Sequence, residues 1–282
     1  MATFRTNDGV TLSYTDNAPH TDTVGDGAGR PVVLIHGYTA PAAAWALVSD
    51  ALLAQGYRVI AFDRRSHGES ETPMHGQRMA RHGRDLGELL DHLGLEDDVT
   101  LVGSSMGGNA IWAYVDQFGS RRLAAVLIDD QTPKMITTED WPHGFYDYTP
   151  DNAGTKFATG VTATGRGRDQ AASAPAVMRL VERLGGPPAF RDAAAPETIG
   201  LLNDHALADW RDVVARFDRT LVMLAARDSQ LWPCEHAAAA VADNPNGRAV
   251  VVEDCGHTVA IDQPDRLVEE LVQLLRDTEP PA

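Results

Sequence analysis

Short, almost wholly apolar runs punctuate the chain and alternate with longer stretches whose apolar positions recur every three or four residues. The runs are PVVLI (31–35), YRVIAF (57–62), VTLVG (99–103), LAAVLID (123–129), TLVMLA (220–225) and RAVVVE (248–253). Runs this short and this apolar suit strands buried on both faces of a parallel sheet. Amphipathic patterns near 43–54, 78–93, 106–118, 234–243 and 264–276 predict helices between them. Gly56 and Gly94 mark the ends of the first two, and Pro233 and Pro264 the starts of the last two. At the N-terminus, TFRTNDGVTLSYT alternates apolar and polar positions on both sides of Asn7-Asp8-Gly9, which predicts a tight β-hairpin. A Gly/Asp-rich loop, roughly 16–30, follows. Hairpin and runs together predict about eight strands, and their alternation with helices predicts an α/β fold with a mostly parallel sheet covered on both faces.

One stretch breaks the rhythm. From Gln131 to about Asp212 no strand pattern occurs, and helical pieces such as APAVMRLVERLGG (174–186) and ETIGLLNDHALADW (197–210) take its place. The chain is therefore expected to divide into an α/β core, 1–130 and 213–282, and a mostly helical cap, 131–212. An insertion there would cover the carboxyl ends of the strands, where open α/β sheets bind ligands.

Composition narrows the function. With 282 residues, 43% hydrophobic and 23% charged, the chain can bury a large core without staples. No run of 18 apolar residues suggests a membrane span, and the opening MATFRTNDGV lacks a signal-peptide core, so a cytoplasmic protein is expected. The net charge of −16 argues against nucleic acid and anionic membrane as partners. Self-association into a homo-oligomer is left open. Cys234 and Cys255 have neither metal-ligand nor disulfide-framework spacing, and Cys255 reads as a small buried residue.

The candidate chemistry starts in VTLVGSSMGGNA, 99–110. In G-x-S-x-G a nucleophilic serine sits on a strained turn between strand and helix. Gly103-Ser104-Ser105-Met106-Gly107 fits only with Ser105 at its centre, because centring on Ser104 would need glycine where Val102 and Met106 stand. A serine needs a base, and the base an orienting acid, in the chain order Ser, Asp or Glu, His. His257, after the last strand, is the expected base; His36, His67, His82, His92, His143, His205 and His236 occupy other loops, helix faces or the insertion. Asp228, at the end of the preceding strand, is the favoured acid, with Asp129 and Asp130 as alternatives and Asp254 too close to His257 in sequence. The oxyanion donors are expected to be the backbone N–H of Met106 and, from the loop His36-Gly37-Tyr38-Thr39, that of Tyr38. Trp141, Phe145, Tyr146, Tyr148 and Trp232 are candidates to line an apolar substrate pocket.

LIHGY (34–38), FDRRSHGES (62–70), LVGSSMGG (101–108), RD (227–228) and GH (256–257) together make the chain resemble the α/β-hydrolase superfamily along nearly its whole length, nearest to bacterial esterases and cofactor-free haloperoxidase-like perhydrolases. The resemblance implies two-step acyl transfer on a small ester or lactone with no metal or organic cofactor. Two positions depart from it. Thr39 stands where perhydrolase-like members commonly have Pro, and Ser66 replaces a Gly in the turn after the second parallel strand. Other reactions compatible with the scaffold are perhydrolysis with the same triad, C–C hydrolysis or a lyase or oxygenase reaction, and slow turnover in a ligand receptor.

Overall fold

The six apolar runs form six parallel strands in the computed structural model, which describes residues 1–17 and 29–278. They are β3 (Pro31–Ile35), β4 (Arg58–Phe62), β5 (Val99–Ser104), β6 (Leu123–Asp129), β7 (Thr220–Ala226) and β8 (Gly247–Val252). The N-terminal hairpin supplies β1 (Ala2–Arg5) and β2 (Thr11–Asn17). The eight strands make one sheet in the order β1-β2-β4-β3-β5-β6-β7-β8. Only the β1–β2 and β2–β4 pairings are antiparallel. Most of the expected 16–30 loop lies outside the described residues.

Each central strand is apolar throughout because both of its faces are buried. Val33, Ile35, Leu101 and Ile128 pack into one core, while their neighbours Val32, Leu34, Val102 and Leu127 pack into the other. Each such side chain contributes about 1.5–3 kcal/mol on burial. The first core is covered by α2 (Met79–His92) and α3 (Met106–Phe118), the second by α1 (Ala46–Leu53) and α9 (Pro264–Asp277). Helix α2 stops at Gly94: its N–H bonds to Asp91 O and that of Leu95 to Leu90 O, satisfying carbonyls the helix end would leave bare.

Between β6 and β7 the chain forms α4 (Gln170–Leu184), α5 (Pro196–Leu207) and α6 (Arg211–Arg216). Among the described residues this segment has no strand, only isolated bridges at Lys134–Asp209 and Thr138–Trp141. Helix α5 sends Leu201, Leu202 and Ala206 into the first core, which seats the insertion on the sheet. After β7 come α7 (His236–Val241), shorter than its sequence pattern, and after β8 α8 (Val259–Asp262). No helix of the described residues is long and apolar enough to cross a membrane. Parallel strands deliver the carboxyl ends of β3, β5, β6, β7 and β8 to one edge of the sheet.

Candidate active site

Ser105 alone makes the corner between β5 and α3, with φ 50° and ψ −130°. A non-glycine residue rarely holds a positive φ, and strain of this kind persists only where the surroundings enforce it. Here they do. The Ser105 N–H donates to Asp129 O at 2.9 Å, and its carbonyl accepts from Gly108 N at 2.8 Å. The glycines of the pentapeptide are required by close approach. A Cβ on Gly107 would lie 2.2 Å from Ile35 O, and one on Gly103 would lie 2.6 Å from Gly108 N.

The serine hydroxyl meets His257 as the sequence suggested: Oγ is 2.9 Å from Nε2. The imidazole is held on three sides. Its backbone N–H donates to Gln230 Oε1 at 2.8 Å. The ring stands edge-to-face on Trp232, with centroids 5.1 Å apart. Its Nδ1 lies 2.7 Å from Asp130 Oδ2.

That last contact corrects the expected acid. Asp228 does not reach His257. It lies exposed beyond β7, its N–H bonded to Cys255 O and its carbonyl accepting from Arg168 N. The turn after β7 points Ser229, not Asp228, toward the histidine's partner, and Ser229 Oγ donates to Asp130 Oδ2 at 2.7 Å. Asp130 follows β6 with φ 42° and its N–H on Leu224 O, which swings its carboxylate across the end of β7. There it also accepts from Ala226 N at 2.9 Å and contacts His236 Nε2 at 3.3 Å. Burial alone would raise its pKa. The hydrogen bonds and charges of His236 and His257 outweigh burial and hold it below the usual carboxylate range. The adjoining Asp129 is its opposite. It is wholly buried, and its oxygens have no hydrogen bond of good geometry; burial followed by the Asp130 charge pushes its pKa up to about 7, against weaker pulls from Ser104, His257 and the Ala260 N–H. Two adjoining carboxyls are thus pushed in opposite directions, one held ionised and the other kept protonated well above the usual carboxylate range.

The loop after β3 runs directly over the serine. A Cβ on Gly37 would lie 3.0 Å from Ser105 Cβ. Arg64, fully buried, grips this loop: Nε donates to His36 O at 3.0 Å and Nη2 to Gly37 O at 2.8 Å. His36 braces the loop from inside, its Nε2 accepting from Arg64 N at 2.9 Å. Burial pushes the Arg64 pKa down to about 9, against the pull of Tyr38 and Asp85. Tyr38 hydrogen-bonds through its hydroxyl to Thr198 Oγ1 (2.9 Å) and Ala193 O (3.1 Å), tying the loop to the insertion. Both Tyr38 and Met106 border the space at Ser105, and Met106, opening α3, has an N–H that the helix leaves without an internal acceptor. Thr39 and Ser66, the two departures noted in the sequence, have φ 69° and 65°.

Two spaces flank Ser105. The larger, about 210 Å³, runs along His257, Thr258, Trp45, Phe190 and Ile261. The smaller, about 30 Å³, is bordered by Phe145, Trp232, Met135, Leu202 and His205. Phe145 and Trp232 therefore lie where a pocket residue should. Trp141 does not: it borders a separate cleft beside Asp140 and Arg211, because its Nε1 is turned onto Lys134 O at 3.0 Å. Tyr146 borders neither space at Ser105; its ring lies under Arg166, 4.7 Å away, with its N–H on Leu231 O. Tyr148 is core, packed on Phe157. Ser229, Gln230, His236 and Arg64 were not singled out from sequence. The pair Asp129-Asp130 carried a usable signal, since successive side chains at a strand end face opposite ways. Among the described residues no group of three or more His, Cys, Asp or Glu side chains is arranged to hold a metal.

The sequence model of the alpha/beta hydrolase fold family matches residues 30–264. A non-heme chloroperoxidase of Kitasatospora aureofaciens is 32% identical over 267 residues, covering 91% of this chain and 92% of its own. A bifunctional esterase/perhydrolase of Acinetobacter calcoaceticus is 33% identical over 146 residues, about half of each chain (51% and 50%). Among solved structures, a bromoperoxidase from Bacillus anthracis superposes with a TM-score of 0.76 at 24% identity, covering 98% of this chain and 99% of that one, a likeness of fold.

Proposed function

Because the chain belongs to the alpha/beta hydrolase fold family, we propose that it is a serine hydrolase that cleaves a carboxylic ester or lactone of a small to medium apolar substrate through an acyl-enzyme. The observation that carries this reading is the relay Ser105–His257–Asp130, with links of 2.9 and 2.7 Å, opening onto a cavity of about 210 Å³. His257 takes the proton from Ser105 as Oγ attacks the carbonyl carbon. Asp130, ionised and held by four donors, keeps the Nδ1 proton in place and stabilises the imidazolium. The N–H groups of Tyr38 and Met106 receive the developing oxyanion; each such donor is worth about 3–4 kcal/mol in related sites. His257 then gives its proton to the leaving oxygen, and water, deprotonated by the same imidazole, releases the acid.

The test is mass spectrometry after a fluorophosphonate probe, followed by ester and lactone turnover. Ser105 is expected to carry the label. Ser105→Ala should abolish turnover, while Ser104→Ala, one residue away at the end of β5, should keep most of it. Equal loss in two well-folded variants would remove Ser105 from its role. Relatives named for chloroperoxidase and perhydrolase activity support a second deacylation route, attack of hydrogen peroxide on the same acyl-enzyme to give a peracid. Peroxide-dependent oxidation in acetate buffer, absent in Ser105→Ala, distinguishes it.

A further inference from the structure

The two spaces at Ser105 are chemically unlike. A leaving oxygen must receive its proton from His257 Nε2, so the leaving group belongs in the larger space, which His257 and Thr258 border. The acyl group then points into the smaller one, which Met106 borders and His257 does not. That space is lined mostly by apolar side chains; beyond the reacting serine, Tyr38 and Trp232, whose Nε1–H is fully buried, the polar group is His205 of α5. Its imidazole is buried, at 3% exposure, and its Nδ1 lies 3.4 Å from Asn109 Nδ2 of α3. With Asn109 donating, Nδ1 is the acceptor, and the proton of the neutral ring sits on Nε2. The hydrogen bond to Asn109 uses Nδ1, which leaves Nε2 for the cavity that the ring borders. Burial holds the ring neutral, its pKa pushed down to about 3, with Arg64 and His257 acting in the same direction. Buried polar groups in native structures almost always have partners. His205 Nε2 is not among the fully sealed unpartnered atoms, so its partner is whatever occupies the cavity, water in the free protein and substrate in the complex.

We propose that His205 is a specificity-determining residue that donates a hydrogen bond from Nε2 to an oxygen carried on a short acyl chain. The proposal rests on the ester-cleaving reading above and adds to it the class of acyl group: oxygen-bearing, short and uncharged. Length follows from volume, since about 30 Å³ open to water-sized molecules leaves room for a chain of only a few heavy atoms. Charge follows from the ring, because a neutral donor offers a carboxylate no counterion.

The test compares phenyl methoxyacetate with phenyl butyrate, which differ by an oxygen in place of a methylene. Each kcat/KM is divided by the ester's own hydroxide-catalysed rate, which removes inherent reactivity. The wild-type protein is expected to favour methoxyacetate by about tenfold after that correction. His205→Phe should lose the preference while still turning over butyrate, and His205→Gln, which keeps an N–H donor, should recover part of it. A corrected wild-type preference below about threefold overturns the proposal whatever the variants do, so it does not depend on their folding. So does a preference that survives intact in folded His205→Phe. If neither ester is turned over and the fluorophosphonate fails to label Ser105, the ester-cleaving reading itself falls and takes this one with it. Active, labelled protein with a flat preference overturns only the role of His205.

Discussion

Asp129 and Asp130 share a strand end and differ in everything that governs a carboxyl group. Asp130 has four donors; Asp129 has none of good geometry, only the weaker approach of Ser104 and the Ala260 N–H. Asp130→Asn should lower kcat by roughly 10⁴-fold, the scale of losing the orienting acid of a serine triad. Asp228→Asn, on an exposed carboxylate, should leave kcat within about twofold. Asp129 opposes folding instead. Its folded pKa is about 7 against 3.8 for the free group, so the native state binds the extra proton between those values. Stability attributable to it therefore falls as pH rises from about 4 to about 7. Asp129→Asn should match wild type in urea unfolding near pH 4 and be more stable by roughly 1–4 kcal/mol at pH 8. Thr39 supplies another test. Proline requires φ near −65°, and Thr39 holds 69°. Thr39→Pro should distort the Gly37–Tyr38 loop and cut kcat by at least about tenfold, while Thr39→Gly, suited to that φ, should retain most activity.

At the scale of elements, α2 and α3 meet backbone against backbone. A Cβ on Gly83 would lie 2.4 Å from the backbone of Ala113 and 2.5 Å from Tyr114 N. Backbone cannot move aside as a flexible side chain can, so Gly83→Ala should destabilise by about 1–3 kcal/mol, a fall in melting temperature of about 5 °C by calorimetry. Because Ser105 caps the start of α3, activity should fall as well. The elements themselves were largely legible. Strands buried on both faces write themselves as unbroken apolar runs, and β3, β6 and α3 begin and end where their patterns do. Helices α6 and α8, of six and four residues, are too short to show a period. Site residues were legible where a motif spells out geometry, as around Ser105. They were illegible where a turn decides the matter. Whether Asp228 or Ser229 faces inward depends on how the chain leaves β7, and an aromatic cluster such as Trp141 to Tyr148 does not say which of its rings faces Ser105.

Across the whole molecule, the charge of −16 sets a field that any anionic substrate must cross. For an ester bearing a remote carboxylate, kcat/KM should rise severalfold between ~20 and ~300 mM salt, and that of a neutral ester should stay level. A neutral ester that tracked the same salt dependence would show a change in the protein rather than in the encounter.

The junction of Asp130 and Ser229 has a consequence for how such sites are inherited. Oγ of one touches Oδ2 of the other at 2.7 Å, so two strands offer footholds beside the same imidazole nitrogen. A carboxylate could change strands without the histidine moving. In the double variant Asp130→Ser with Ser229→Asp, part of the turnover lost in Asp130→Ser alone should return. Recovery would mean that ancestry can relocate the third member of the proposed triad by two point changes, and that comparing aligned columns one at a time would mistake the move for a loss.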